Sequence, residues 1–250
     1  MDMPQQHPTY TPMKLYSAWY CPFAQRAWMT LLHKGVAFDY VEVDPYRASP
    51  WWLGISRNRG KVPVLVAPTV KAGGSSTVID STRVVEYLEE RAPGVNPLFP
   101  SDPDERAECR FWIDHINERI VPYLYRFLDA QKPGRKRDNA RDALTSGVHE
   151  LSEAMSPQGP FFAGTTLGAI DLLMIPFAYR IDALLGHYRD FALPSTGTAW
   201  PRYHGWYQSM CETEIFRATS TDHPDYRERL IAFYLPYSQG KGQQDVKQAA

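Results

Sequence analysis

The chain has 250 residues, a formal net charge of -1, 44% hydrophobic residues and 22% charged residues. That is the balance of an ordinary soluble globular protein with room for one large or two small domains, and it gives no electrostatic reason to expect a nucleic acid or an anionic membrane as partner. Three cysteines, Cys21, Cys109 and Cys211, are too few and too scattered for a disulfide framework or a thiolate zinc site, which points to a reducing, cytoplasmic setting.

Residues 1–12 are polar, rich in Pro and Gln, and lack the basic start and apolar middle of a secretory signal, so a flexible extension is expected. Residues 13–17 read as a strand and 18–20 as a loop. Ala24, Ala27, Trp28, Leu31 and Leu32 then recur at helical spacing up to Gly35. Residues 37–43 alternate as a second strand, 50–59 suit a short helix and loop, and 62–66 read as a third strand. The Gly73-Gly74-Ser75-Ser76 turn leads to a fourth strand at 77–79. Asp80-Ser81 opens a helix carrying Val84, Val85 and Leu88, which ends before Pro93.

This mixture of periods predicts a sheet with helices over 13–93. Four prolines and a glycine between residues 93 and 103 mark a linker at 94–104. Beyond it, Cys109, Trp112, Ile113, Ile116 and Ile120 form one long apolar stripe, with Asp104, Glu105 and Glu108 near its start, where acids suit the helix dipole. Further helices are expected at 138–155, 169–185, 200–213 and 226–235, making 105–236 all-helical, with a frayed tail at 237–250. No stretch approaches the roughly 18 apolar residues of a membrane span.

Cys21-Pro22-Phe23-Ala24 is the most informative motif. Pro22 at the first helical position places Cys21 at the N-cap, where unpaired backbone N–H groups and the helix dipole favour negative charge, and Arg26 lies one turn on. Such sites lower a thiol from about 8.5 to roughly 3.5–7.5, so a thiolate is expected. The alternative is a small buried hydrophobe. Ala24 in the fourth position leaves no resolving thiol, so a second thiol must come from a small molecule.

Val62-Pro63 is the second motif. Proline removes a ladder hydrogen bond, so Pro63 is either an edge-strand residue without a role or a cis proline that turns the Val62 backbone outward. Asp80-Ser81 is either an ordinary helix cap or a clamp for an amino acid head group, its ammonium on Asp80 and its carboxylate on Ser81. Arg57, Arg59 and Lys61 suit an anionic ligand or simply a solvated loop. An acceptor pocket is expected between the two halves. Trp19, Tyr20, Trp112, His115 and Tyr123 are its candidates, with core packing as the alternative for each. The seven histidines show no metal-ligand spacing, and no Gly-rich phosphate loop is present.

On Cys21-Pro22-Phe23-Ala24-Gln25-Arg26, Lys61-Val62-Pro63-Val64-Leu65 and Asp80-Ser81, the chain resembles the cytosolic glutathione transferases over about residues 13–235, and the omega class most. The resemblance implies an α+β thioredoxin-like N-terminal domain followed by an all-α C-terminal helical domain, assembled as a homodimer. It implies that Cys21 forms a mixed disulfide with glutathione, that Phe23 lines that site, and that Val62 pairs its backbone with the cysteinyl part. Pro63 is then the cis proline, Asp80 and Ser81 hold the γ-glutamyl end, and Lys61 lies near the glycyl carboxylate. The implied activity is that of a glutathione-dependent thiol transferase and dehydroascorbate-type reductase without a metal.

Three departures stand out. Asp80 replaces the glutamate usual in omega enzymes. Gly168-Ala169-Ile170-Asp171 replaces the family's Ser/Thr-x-x-Asp cap, a change costing only a few tenths of a kcal/mol. Arg110-Phe111-Trp112 is closer to the tau class. Two other readings share the fold: a non-enzymatic relative of the chloride intracellular channel proteins, and a carrier that binds glutathione conjugates without turnover.

Overall fold

The computed structural model describes residues 12–47, 49–69 and 74–241. The expected N-terminal extension up to residue 11, Gly73 of the turn, and the tail beyond residue 241 lie outside them. The first half contains β1 (Met13–Ser17), α1 (Pro22–His33), β2 (Phe38–Glu42), α2 (Pro50–Ile55), β3 (Val64–Pro68), β4 (Ser75–Ile79) and α3 (Ser81–Arg91). Its sheet has the order β2-β1-β3-β4, with β1 and β2 parallel and the other pairs antiparallel. Met13 and Leu15 on β1 and Leu65 and Ala67 on β3 point into a core shared with Ala27 and Leu31 of α1 and Val84 and Leu88 of α3. The alternation read at 37–43 places Phe38 and Tyr40 of β2 against this core, partly buried.

The second half is helical: α4 (Pro103–His115), α5 (Val121–Asp129), α6 (Arg135–Glu153), α7 (Ala169–Arg180), α8 (Gly186–Arg189), α9 (Trp200–Glu212), α10 (Glu214–Ala218) and α11 (Tyr226–Ser238). The chain therefore has a thioredoxin-like N-terminal domain followed by a helical C-terminal domain, as expected. Two differences arise where extra residues enter the helical ladder. Turns of π-helix at Ile116–Ile120 and Ile181–Leu185 join α4 to α5 and α7 to α8. A spacing of 3.6 treats each as one straight helix. The last helix runs to Ser238, past the expected end at 235, and α10 was not anticipated.

Two buried polar anchors fix the second half. Lys34 at the end of α1 pairs with Glu89 of α3 at 2.5 Å and donates to the Val95 carbonyl at 2.8 Å, while the Leu98 N–H donates to Glu89 at 3.0 Å. These bonds dock the linker. At the start of α7, the fully buried Asp171 accepts from the Phe162 N–H, the Gly168 N–H and the Trp206 indole at 2.7–2.8 Å. The cap is one-sided, because Gly168 has no side chain to return a bond. Burial nevertheless pushes the Asp171 carboxyl up to about 6, against the pull of its three donors.

Replacing Asp171 by Ala strands three buried donors, and we expect a loss of about 3 kcal/mol in urea denaturation. Since the folded protein holds this proton more tightly than the unfolded chain, Asp171 contributes most below about pH 4 and less as pH rises toward 6. The Asp171→Ala penalty should accordingly be larger at pH 4 than at pH 7. A penalty that grows with pH contradicts this assignment.

Candidate functional site

Cys21 sits at the N-cap of α1, with Pro22 in the first turn. The Cys21 N–H donates to the Ala18 carbonyl at 2.9 Å and the Cys21 carbonyl accepts from Gln25 N–H at 3.0 Å, so a tight turn delivers the thiol to the helix start. It opens on a cleft of about 610 Å³. One wall is Phe23, Arg59, Gly60, Lys61 and Val62; the other is Val121, Tyr125, Phe233, Tyr234 and Tyr237; Tyr20, Pro45 and Tyr46 close the side. Left-handed backbone at Arg57, Asn58 and Gly60 turns the loop so that the exposed Arg59 and Lys61 reach this cleft, although Arg57 does not.

The Val62–Pro63 peptide is cis. Both residues precede β3, which begins at Val64, so Pro63 interrupts no ladder. Among the described residues the Val62 backbone makes no hydrogen bond, leaving its polar groups available to the cleft it lines. Val64 pairs with Ile79, so the chain leaves β4 into Asp80 beside this bond.

Asp80, not Ser81, caps α3. Its carboxylate accepts from the Thr82 and Arg83 N–H groups at 3.0 and 3.4 Å, and its backbone is left-handed at φ 83°. A non-glycine residue there carries about 1–3 kcal/mol of strain. Ser81 is buried, and its hydroxyl oxygen accepts from Arg26 at 3.4 Å. Asp80 and Ser81 adjoin the cleft rather than line it. The connection is Arg26, whose guanidinium stacks on Phe23 and Phe177 at 5.4 and 4.6 Å and donates to Asn117 Oδ1 at 3.0 Å and the Leu173 carbonyl at 2.7 Å. Burial pushes Arg26 down to about 9, which leaves it charged at neutral pH.

The expectation of a low-pKa thiol is overturned. Burial pushes the Cys21 thiol above the ordinary cysteine value, although the Ala24 and Phe23 N–H groups and the Arg180 and Arg26 guanidiniums all pull it down. The helix start acts as the sequence predicts; desolvation by the aromatic wall outweighs it. Cys109 and Cys211 are pushed up to about 11 mainly by burial, opposed at Cys109 by Arg110 and Arg106 and at Cys211 by the Tyr207 hydroxyl.

Of the five acceptor-pocket candidates only Tyr20 lines the cleft. Trp19 packs edge-on against Tyr226 and Phe233 beneath Arg229, and so anchors α11. The Trp112 indole donates to Glu108 and its ring lines a separate groove beside the linker. The His115 ring bonds to the Gly147 carbonyl at 2.8 Å, and Tyr123 carries Arg126 on its face. From this stretch it is Val121 and Tyr125, at the start and middle of α5, that line the cleft, while the stripe through Trp112 packs elsewhere.

Sequence reasoning missed the aromatic wall. Tyr20 stacks on Phe233 at 3.8 Å, and the Tyr46 and Tyr237 hydroxyls meet at 2.7 Å, tying α11 across the cleft. The run Phe233-Tyr234-x-x-Tyr237 on a single helix was the available signal. Burial raises Tyr20, Tyr46, Tyr125 and Tyr234, so all four remain neutral hydrogen donors.

The N-terminal domain of glutathione S-transferases matches residues 15–96, and their C-terminal domain matches residues 116–209. The chain belongs to the glutathione S-transferase family. Glutathione S-transferase U2 of Arabidopsis thaliana is 30% identical over 222 residues, covering 87% of this chain and 92% of the relative. The crystal structure of glutathione transferase Omega 3C from Trametes versicolor is 28% identical, covers 95% of both chains and gives a TM-score of 0.76. A maleylacetoacetate isomerase from Anaeromyxobacter dehalogenans with glutathione in its active site is 27% identical, covers 86% of this transferase and 98% of that chain, and gives a TM-score of 0.65. Among the described residues no group of three or more His, Cys, Asp or Glu is placed to hold a metal, and no helix is long and apolar enough to cross a membrane.

Because the Cys21 thiol lies above its ordinary value, its alkylation by iodoacetamide should rise continuously from pH 7 to 9 in the free protein. A rate that has already levelled off by pH 7 contradicts the desolvated thiol.

Proposed function

We propose that this glutathione S-transferase is an omega-type thiol transferase and reductase in which Cys21 is the nucleophile. The observation that carries the reading is that Cys21, Val62 beside its cis proline and Lys61 line one cleft. Glutathione fits there with its cysteinyl amide on the Val62 backbone, its glycyl carboxylate near Lys61, Phe23 beside it, and its γ-glutamyl end toward Asp80 and Ser81 past Pro63. The bound glutathione in the related isomerase supports this ligand. Neither Tyr16, packed against Trp51 and Trp52, nor the buried Ser17 lines the cleft, which disfavours a hydroxyl-dependent conjugating enzyme.

In the proposed cycle the Cys21 thiolate attacks the glutathionyl sulfur of a mixed disulfide. A Cys21–glutathione disulfide forms, the old S–S bond breaks, and the acceptor leaves as a thiolate that takes up a proton. The thiolate of a second glutathione attacks that disulfide, releasing oxidised glutathione and returning Cys21. No neighbouring thiol competes, because position 24 is alanine. A homodimer in a reducing compartment completes the reading.

Replacing Cys21 by Ser should lower glutathione-dependent reduction of 2-hydroxyethyl disulfide by roughly 100-fold or more, with folding unchanged. Undiminished activity sinks the cysteine mechanism. No activity in the parent protein supports a carrier instead.

A further inference from the structure

Two arginines near Cys21 are buried almost completely, Arg26 at 1% exposure and Arg180 at 0%, and among the described residues neither has a carboxylate within ion-pair distance. An uncompensated buried charge costs several kcal/mol, so the fold must recover that cost through hydrogen bonds or an anion that forms nearby. Arg26 donates to Leu173, Asn117 and Ser81 through Nε and Nη1, while its Nη2 is buried without a partner. Arg180 is placed differently. Its Nη2 donates to the Tyr20 carbonyl at 2.7 Å, and its Nη1 donates to Gln25 Oε1 at 3.1 Å and the Pro176 carbonyl at 2.7 Å. Its Nε is buried without a partner.

One guanidinium at the end of α7 thus holds the residue before Cys21 and the residue one helical turn after it. We propose that Arg180 is a positioning residue for Cys21: its planar fork fixes the nucleophile's turn, and its charge is the buried cation that the Cys21 thiolate neutralises. This rests on the reading of Cys21 as nucleophile. The phenols of Tyr20, Tyr40 on β2, Tyr46 after β2, Tyr125 on α5 and Tyr234 on α11 are the other titratable groups whose charge would act on the sulfur, and Glu42 and Asp44 act in turn on Tyr20. Burial keeps those phenols protonated, so the positive groups acting on Cys21 are the two arginines. Arg180 favours the thiolate more than Arg26 does. Lysine keeps the charge of arginine but cannot span three acceptors with one rigid plane.

The test measures iodoacetamide alkylation of Cys21 by peptide mass spectrometry from pH 6.5 to 9.5 in the parent, Arg180→Gln and Arg180→Lys, with circular dichroism to verify folding. Arg180→Gln should slow the reaction about tenfold at pH 8 and move its rise about one pH unit alkaline, whereas Arg180→Lys should stay within about threefold of the parent. A parent-like profile in Arg180→Gln, with only a lower melting temperature, makes Arg180 a structural residue and overturns the proposal. If Arg180→Gln does not fold, Arg180→Lys alone decides by hydrogen exchange: the peptide spanning 19–25 should exchange faster than in the parent, and unchanged exchange overturns the positioning role. The two failures are separable. A fully active Cys21→Ser variant sinks the nucleophile, while an inactive one beside an unshifted Arg180→Gln profile sinks only this inference.

Discussion

The reciprocal clasp of two buried arginines across the boundary between the sheet and the helical half is the interaction on which the site depends. Arg26 on α1 donates to the Leu173 carbonyl on α7, and Arg180 at the end of α7 donates back to the Tyr20 carbonyl just before α1. Each half thereby supplies a cation to the other's backbone at full burial, where an unmade bond is costly. The cysteine turn lies between the two. It is held by the helical domain as much as by the helix it caps, so the chemistry of Cys21 belongs to both domains.

That arrangement sets two opposing forces on the sulfur. The N–H groups of Phe23 and Ala24 and the two guanidiniums favour a thiolate, and the aromatic wall from α5 and α11 removes the water that would share the charge. Desolvation is the larger of the two. The same wall of Tyr125, Phe233, Tyr234 and Tyr237 offers an acceptor aromatic stacking surfaces, with the Tyr125 and Tyr234 phenols kept protonated by burial. Reactivity and acceptor recognition are therefore coupled through one helix, α11, whose grip on the first half passes through Tyr20 and Tyr46.

Much of this was legible in the sequence wherever local patterning decides. Met13–Ser17 reads as a strand because alternate residues are buried, and Pro22 marks the start of α1 because its missing N–H costs nothing there. Val62-Pro63 and Asp80-Ser81 stood out as breaks in regular pattern, and both lie at the cleft or next to it. What escaped depends on tertiary placement. The π-turn at Ile116–Ile120 has no local signature, and the residues that reach the cleft from this stretch are Val121 and Tyr125 rather than Trp112 and His115. The thiol's protonation also escaped, since a helix start predicts the sign of one contribution but not how much water the other domain removes. Arg180, read as one position of an apolar helix, gave no sign that its side chain would reach back 160 residues to Tyr20.

The most direct test of the central claim is where glutathione attaches. The parent protein is incubated with oxidised glutathione, digested without reductant and mapped by mass spectrometry. The cleft geometry predicts one glutathionyl adduct, on the peptide containing Cys21, removed by added reduced glutathione. An adduct on Cys109 or Cys211 with Cys21 unmodified contradicts the account.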